Sequence, residues 1–166
     1  MNALAQLISV LAIFCWIISI QNKKKENIIV CQLSANTLYS IQYFLLNVYG
    51  AAFMNIISAI RSFVFYDNEK NKRKNSSYIL AFFLVAILIT GLLTFDGIIS
   101  LIPIVITLAY TYSVWQNNLN ITRYIFLISA FIWIFYNIKV GAHITVLGNI
   151  LEIISGIISI IRFRGN

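Results

Sequence analysis

Charged residues are scarce in this chain of 166 residues. It has 12 Lys and Arg but only 5 Asp and Glu, and 60% of its residues are hydrophobic. A soluble domain carries charge on about a quarter of its residues and needs polar side chains to cover its surface, so this composition excludes one. The mean hydropathy of +0.87 also excludes intrinsic disorder, which requires low hydrophobicity.

Cysteine and catalytic motifs are scarce as well. The two cysteines, Cys15 and Cys31, lie within apolar runs, which excludes a disulfide framework and a cysteine-ligated metal site. The chain has no H-E-x-x-H, G-x-S-x-G or P-loop motif and no pair of acids at catalytic spacing. We therefore expect no enzyme and no cofactor. The segments between apolar runs are too short to form a catalytic or nucleic-acid-binding domain.

The apolar residues gather in long runs. A helix that crosses a bilayer core needs about 20 largely apolar residues, with about 17 as the lower limit. Seven runs are close to this length and cover nearly the whole chain: 3–20, 28–48, 51–66, 77–95, 97–115, 121–139 and 143–163. Backbone groups in lipid must be hydrogen-bonded within the protein, so we expect an all-α membrane protein with seven transmembrane helices.

The basic residues indicate how these helices are oriented, because Lys and Arg in short loops favour the cytoplasmic side. Removing one crossing would place the basic loops 21–27 and 67–76 on opposite sides, so the charges favour seven crossings, with the N-terminus out and the C-terminus in. Ten of the twelve cations are then cytoplasmic: Lys23, Lys24, Lys25, Lys70, Lys72, Arg73, Lys74, Arg123, Arg162 and Arg164.

Two parts of the sequence match each other. The hexapeptide IISAIR at 56–61 returns as IISIIR at 157–162, with one difference in six positions. Residues upstream return after 90 to 91 positions: Tyr43, Asn47 and Gly50-Ala51 match Trp133, Asn137 and Gly141-Ala142. A weaker match pairs Leu7-Ile8 and Ser19 with Leu101-Ile102 and Ser113. The hexapeptides are about ten positions further apart than the residues upstream of them, so we expect the second copy to carry extra residues within 143–153.

Spans 1–3 thus match spans 5–7, and span 4 is left over. Three crossings are an odd number, so an extra helix is needed to give both copies the same orientation. We expect two parallel three-helix repeats joined by an inversion linker helix, a 3+1+3 plan with an axis along the membrane normal. The first repeat is 1–66, the basic cytoplasmic loop and linker helix are 67–95, and the second repeat is 96–166.

Several short motifs in these regions resemble known families. The sequence looks like the YgjV-type bacterial inner-membrane proteins in these residues: Tyr43-Phe44-Leu45-Leu46, Tyr49, Ala51-Ala52, Ala59-Ile60-Arg61, Trp133, Asn137, Gly141 and Ile160-Ile161-Arg162. More remotely, the 3+1+3 plan is similar to the SWEET, PQ-loop and PnuC-type transporters. Those relatives pass sugars, amino acids or vitamin precursors through a pore between two triple-helix bundles. This chain departs from them in having no Pro-Gln pair and a single proline, Pro103. The resemblance implies a multi-pass protein of the bacterial inner (plasma) membrane.

Polar residues follow one stripe of span 2 and one of span 6. Steps of three and four residues place Gln32, Asn36, Ser40, Tyr43 and Asn47 on one helix face, and Ser129, Trp133 and Asn137 on another. Such stripes either hydrogen-bond to neighbouring helices, at about 0.6 kcal/mol per contact, or face a pore. We expect a solute site near the midplane, lined by Asn36, Tyr43, Asn55, Trp133, Asn149 and Glu152.

Some of these residues have a second interpretation. Tyr43 and Trp133 either clamp a solute between their rings or serve as packing and interface aromatics. Asn47 and Asn137 each precede a Gly-Ala pair, and we expect their side chains to cap tight hairpins at the outer mouth.

Glu152 is the acid that lies deepest within a predicted span. A charge at the centre of a membrane helix costs about 2.5–3.5 kcal/mol on insertion scales, which makes it a candidate functional residue. We expect Glu152 to carry a coupling proton or to pair with a cationic solute. The alternative is that it stays neutral or pairs with Lys139 or His143.

Arg61 and Arg162 lie near the cytoplasmic ends of spans 3 and 7. We expect both to anchor their helices by extending to the lipid headgroups. In the alternative, both point at the central axis and attract an anionic group at the inner mouth. Pro103 is expected to hinge one bundle, because proline removes a helical hydrogen bond.

The sequence favours a membrane protein that carries a small polar solute by alternating access, either passively or coupled to protons. The lipid bilayer and that solute are the expected partners. The alternative is a membrane scaffold or accessory subunit that transports nothing, in which the polar stripes only hold helices together.

Overall fold

The computed structural model describes residues 3–163, and over that range the chain forms seven α-helices and no strand. The helices are α1 Ala3–Gln21, α2 Lys25–Leu45, α3 Tyr49–Lys70, α4 Ser77–Leu93, α5 Leu101–Trp115, α6 Leu119–Lys139 and α7 His143–Arg162. A 3₁₀ turn, Ile98–Ser100, leads into α5. The all-α prediction is confirmed, and each predicted span contains one helix. Arg164, one of the predicted cytoplasmic cations, lies outside the described residues.

Four of these helices are long and apolar enough to cross a membrane: α1, α6, α7, and α5 together with its 3₁₀ turn. The shorter α4 is also apolar. Helices α2 and α3 carry more polar residues, but many of those are buried between helices. The side chains that α2 and α3 leave exposed include large apolar ones such as Ile41, Phe44, Phe53, Ile60 and Phe63.

The hairpins α2–α3 and α6–α7 turn in the same way. Asn47 and Gly141 have φ values of 60° and 74°, in the left-handed region that Gly and Asn adopt at least cost. In each turn the next N–H, from Val48 or Ala142, donates to a carbonyl five residues back at 2.9 Å. Asn47 thus shapes its hairpin through its backbone, whereas we predicted a side-chain cap; its side chain accepts from the Tyr49 hydroxyl instead.

These matching turns are 94 positions apart, and buried residues recur at the same separation. Every buried residue of α7 lies 94 positions after a buried residue of α3, and the same holds for α6 and α2. In α3 and α7, for example, Ala51, Asn55 and Ser58 correspond to Thr145, Asn149 and Glu152. Most buried positions of α5 follow those of α1 in this way, as with Trp16 and Tyr110.

This separation of 94 positions differs from the 90 to 91 positions used in the sequence comparison. Counted by 94 positions, Tyr43 corresponds to Asn137 and not to Trp133, and Arg61 corresponds to Ser155 and not to Arg162. The extra residues predicted within 143–153 are not present, because α3 and α7 both begin directly after their matching turns. The weaker match, which pairs Leu7-Ile8 and Ser19 with Leu101-Ile102 and Ser113, is the one that has this separation of 94 positions.

The helices pack as two groups with a peripheral helix. In one group α2 contacts α1 and α3, and in the other α6 contacts α5 and α7. The groups meet where α1 packs on α7 and where α3 packs on α5. Helix α4 lies on α3 and α5 and buries only Phe83, Ile87 and Gly91.

The basic loops meet at one end of the bundle. The Lys25 ammonium, at the start of α2, pairs with the Glu69 carboxylate near the end of α3 at 2.7 Å. It also donates to the Asn117 side chain, beyond α5, at 2.9 Å. The Trp115 indole donates to the Asn75 carbonyl at 3.0 Å. The loops after α1, α3 and α5 therefore lie together, as the charge pattern predicts.

The hairpin geometry yields a test of the left-handed positions. Gly141→Val should lower the free energy of unfolding by about 1–3 kcal/mol, because a β-branched residue is strained at positive φ. Asn47→Gly should change it by only a few tenths of a kcal/mol. The matched control is Gly50→Ala, since a Cβ at Gly50 meets Thr94 only at 3.5 Å. Unfolding of the purified protein in detergent measures all three, and an unchanged Gly141→Val variant would contradict the assignment.

Candidate solute-binding cavity

A small cavity lies between the two helix groups. Its volume is about 40 Å³, enough for a water molecule but not for a sugar. Every helix except α4 contributes to its wall. The lining residues are Trp16, Asn36, Tyr39, Tyr43, Asn55, Ser58, Arg61, Thr107, Tyr110, Trp133, Asn137, Thr145, Asn149 and Glu152.

The six residues predicted to form the solute site all line this cavity. Helical spacing brings them there: Asn36 and Tyr43 are seven residues apart on α2, and Asn149 and Glu152 are three apart on α7. Asn55 on α3 occupies the position that corresponds to Asn149 on α7. The structure thus brings the predicted residues together, and their role toward a solute remains a prediction.

A chain of hydrogen bonds runs along one wall from α2 through α6 to α7. The Tyr43 hydroxyl donates to Asn137 Oδ1 at 2.7 Å, and Asn137 Nδ2 donates to Asn149 Oδ1 at 2.9 Å. Asn149 Nδ2 then donates to Glu152 Oε2 at 3.0 Å, while the Tyr39 hydroxyl donates to Oε1 at 3.4 Å. Asn137 therefore connects helices across the cavity, which corrects the prediction that its side chain caps a hairpin.

Glu152 is buried, with 7% of its surface exposed, and its partners are neutral amide and phenol groups. The two ion pairs found among residues 3–163 involve Glu69 and Asp67, so Glu152 pairs with neither Lys139 nor His143 over that range. The predicted alternative of an outer ion pair is therefore wrong. The carboxyl group faces the cavity instead.

Arg61 is 1% exposed, and its guanidinium lies inside the protein. Its NH1 donates to the Thr111 hydroxyl at 2.9 Å, whereas its Nε has no hydrogen-bond partner. The prediction that Arg61 extends to the lipid headgroups is wrong, because its α3 position faces α5 and the cavity. Arg162 differs: it is exposed at the end of α7, beside the Phe163 ring. The two arginines therefore do not share one role.

Aromatic rings form the remaining walls. Tyr43 and Trp133 stack on each other with ring centroids 6.3 Å apart, so in this state they pack together and leave no gap for a solute. Trp16 and Tyr110 form a second pair, with centroids 5.5 Å apart. These two residues were missed by the sequence reasoning, although Trp16 and Tyr110 are also 94 positions apart.

A polar contact joins three helices at Thr145, one of the residues that line the cavity. Its hydroxyl accepts from Gln42 Nε2 at 2.7 Å and is 2.8 Å from the Ser9 hydroxyl. Ser9, Gln42 and Thr145 come from α1, α2 and α7. None of the three was predicted as a site residue. An isolated Ser or Thr in an apolar span carries no distinctive signal, and Gln42 is not on the predicted polar stripe of α2.

Pro103 lies within the first turn of α5, directly after the 3₁₀ turn. The first N–H groups of a helix have no intrahelical acceptor, so a proline there interrupts little. It does not line the cavity. The position of Pro103 in the first turn thus leaves the hydrogen bonds in the body of α5 intact, and its role as a hinge stays a prediction.

A comparison with protein families gives a membrane family. The model of the Imp-YgjV family, whose description is bacterial inner membrane protein, matches residues 3–166. No curated protein and no solved structure matches the chain.

The hydrogen-bond chain can be tested at its first member. Tyr43→Phe should lower the free energy of unfolding by about 1 kcal/mol, because it leaves the buried Asn137 oxygen without its phenol donor. Tyr78→Phe is the matched control, since Tyr78 is 86% exposed. Thermal unfolding of both variants in detergent checks this. Equal stability of the two variants would show that the bond contributes nothing.

Proposed function

Because the chain belongs to the Imp-YgjV family of bacterial inner membrane proteins, we propose that it carries a small polar solute across that membrane by alternating access. The observation that carries the proposal is the cavity, which is enclosed by six helices and lined by polar and aromatic side chains. No catalytic step is part of the proposal.

Unpaired hydrogen-bond donors in the cavity wall support a carrier. Among residues 3–163, buried side-chain atoms of Gln6, Gln32, Asn36, Gln42, Arg61 and Ser62 have no hydrogen-bond partner, and of these residues Asn36 and Arg61 line the cavity. A buried polar group without a partner is costly. The unpaired Asn36 Nδ2 and Arg61 Nε therefore favour a cavity that binds a polar solute.

The packing of the helices supports the proposed movement. We infer that α1–α3 and α5–α7 are two parallel repeats with α4 as the inversion linker, since turns and buried faces recur after 94 positions. The two groups meet through two equivalent contacts, α1 with α7 and α3 with α5. Rocking about these contacts opens the cavity to one side or the other. In this proposal the structure, with its cavity of about 40 Å³, is a closed state between the two openings.

The proposed orientation places the basic loops in the cytoplasm. Of the charges in the described residues, Lys139 and Asp96 are at the opposite end from the loops after α1, α3 and α5. This gives seven crossings with the N-terminus outside.

The function is tested by uptake into liposomes that hold the purified protein. A panel of sugars, amino acids and vitamin precursors is offered, and protein-dependent uptake of at least one is expected. Uptake of none would favour the scaffold.

Glu152→Gln should insert and fold like the wild type but reduce uptake about tenfold or more, because Gln keeps the shape and loses both the charge and the exchangeable proton. Glu26→Gln, at the start of α2 and away from the cavity, is the control. Size-exclusion profiles establish folding for both. Unchanged uptake by Glu152→Gln would remove Glu152 from the site.

The orientation is tested by cysteine labelling in whole cells. In a background of Cys15→Ala and Cys31→Ala, Asp96→Cys should react with a membrane-impermeant maleimide, because its loop is expected outside. Lys74→Cys should react only after the membrane is permeabilised. The opposite result would invert the topology, and equal reaction of both in intact cells would contradict the crossing of α4.

A further inference from the structure

We propose that the solute is a small zwitterion, with its carboxylate bound at Arg61 and its ammonium group at Glu152. This inference rests on the proposed carrier function and narrows it to one class of solute. It depends on two opposite charges that line one cavity and have no ionic partner among residues 3–163.

The Arg61 side of the cavity offers hydrogen-bond donors without acceptors. The guanidinium is buried and makes one side-chain hydrogen bond, to Thr111. Its Nε and the Asn36 Nδ2 are both buried without partners, and both residues line the cavity. A carboxylate accepts hydrogen bonds from guanidinium and amide N–H groups. Hydrogen bonds between charged groups are stronger than those between neutral groups.

The Glu152 side offers acceptors. Its two oxygens each accept one bond, from Asn149 and Tyr39, and a carboxylate can accept about four. Within residues 3–163 no Lys, Arg or His lies within ion-pair distance of it. Two tyrosines line the same cavity: Tyr39 donates to the Glu152 carboxyl, and Tyr110 contributes a further aromatic ring to the wall. Aromatic faces also favour an ammonium group.

The two charges do not satisfy each other. They lie on different helices, Arg61 on α3 and Glu152 on α7, and they form no ion pair among the described residues. An anionic solute would leave Glu152 unpaired, and a cationic one would leave Arg61 unpaired. An uncharged sugar would leave both Arg61 and Glu152 without an ionic partner. A solute with separated opposite charges supplies a partner to each, and the complex stays neutral overall, which lowers the cost of burial.

The volume of the cavity favours the smallest zwitterions. The closed cavity of about 40 Å³ is smaller than any amino acid, so binding requires the surrounding side chains to move. The smallest zwitterions need the least movement. The bulky rings of Trp16, Tyr43, Tyr110 and Trp133 leave no room for a large side chain.

Binding to the purified full-length protein in nanodiscs tests this with three related probes. Alanine carries both charges, alanine methyl ester carries only the ammonium, and N-acetylalanine carries only the carboxylate. Calorimetry and thermal shift should show alanine binding about 10- to 100-fold more tightly than either analogue, because each analogue leaves a buried charge unpaired.

Two variants assign the groups. Arg61→Gln should abolish the preference for alanine over its methyl ester, and Glu152→Gln should abolish the preference for alanine over N-acetylalanine. Arg61→Lys and Glu152→Asp retain the charges and should retain a measurable preference, which separates loss of the charge from loss of the fold. Glu26→Gln is the control outside the cavity.

The outcomes separate this inference from the carrier function. If either analogue binds the wild type as tightly as alanine, or if the liposome panel shows uptake of an uncharged sugar alone, the zwitterion is wrong and the carrier stands. If no amino acid binds but another solute is taken up, the zwitterion is again wrong and the carrier function again stands. If nothing binds and nothing is taken up, both proposals fail.

Discussion

Polar groups cannot be left facing lipid, and this constraint governs how the chain is built. A backbone in the bilayer interior must be satisfied internally, which makes every span a helix. The same penalty turns polar side chains inward, so the stripe on α2 that holds Asn36 and Tyr43 faces α6 and α7 and not the surroundings. The exposed faces then consist largely of Leu, Ile and Phe. One cavity results, because six helices direct their polar faces toward the same axis.

The charges inside the bundle are the costly part of this arrangement. Arg61 and Glu152 are both buried, and neither has an ionic partner in the part of the chain that the structure describes. Neutral groups hold them in place: Thr111 for Arg61, and Asn149 with Tyr39 for Glu152. Burial of this kind stabilises no fold, since apolar residues of similar size would pack at lower cost. In the carrier that we propose, these two charges are the groups that bind the solute.

The sequence alone selected, as a solute site, six of the fourteen residues that line the cavity. Period and spacing selected Asn36, Tyr43, Asn149 and Glu152, because a polar residue deep in an apolar span is conspicuous. Errors arose where position across the bundle mattered. Arg61 and Arg162 are at the ends of nearly identical hexapeptides, yet one is buried and the other exposed. In a chain so rich in isoleucine, short sequence matches also occur between positions that do not correspond in the helices. The distance along the chain between the two hexapeptides therefore gave a wrong alignment.

The amino-acid sequence by itself determined the class and the helices. Runs of apolar residues specify the spans, and loops rich in Lys specify which ends lie together, because both depend on local composition and on the cost of transfer into lipid. Tertiary structure decided which residues face one another. Three features depend on how α3, α5, α6 and α7 are rotated and stacked. They are the separation of 94 positions between corresponding buried residues, the hydrogen bond from Tyr43 to Asn137 and the burial of Arg61. That rotation is set by side-chain packing between helices distant in sequence, which no local pattern records.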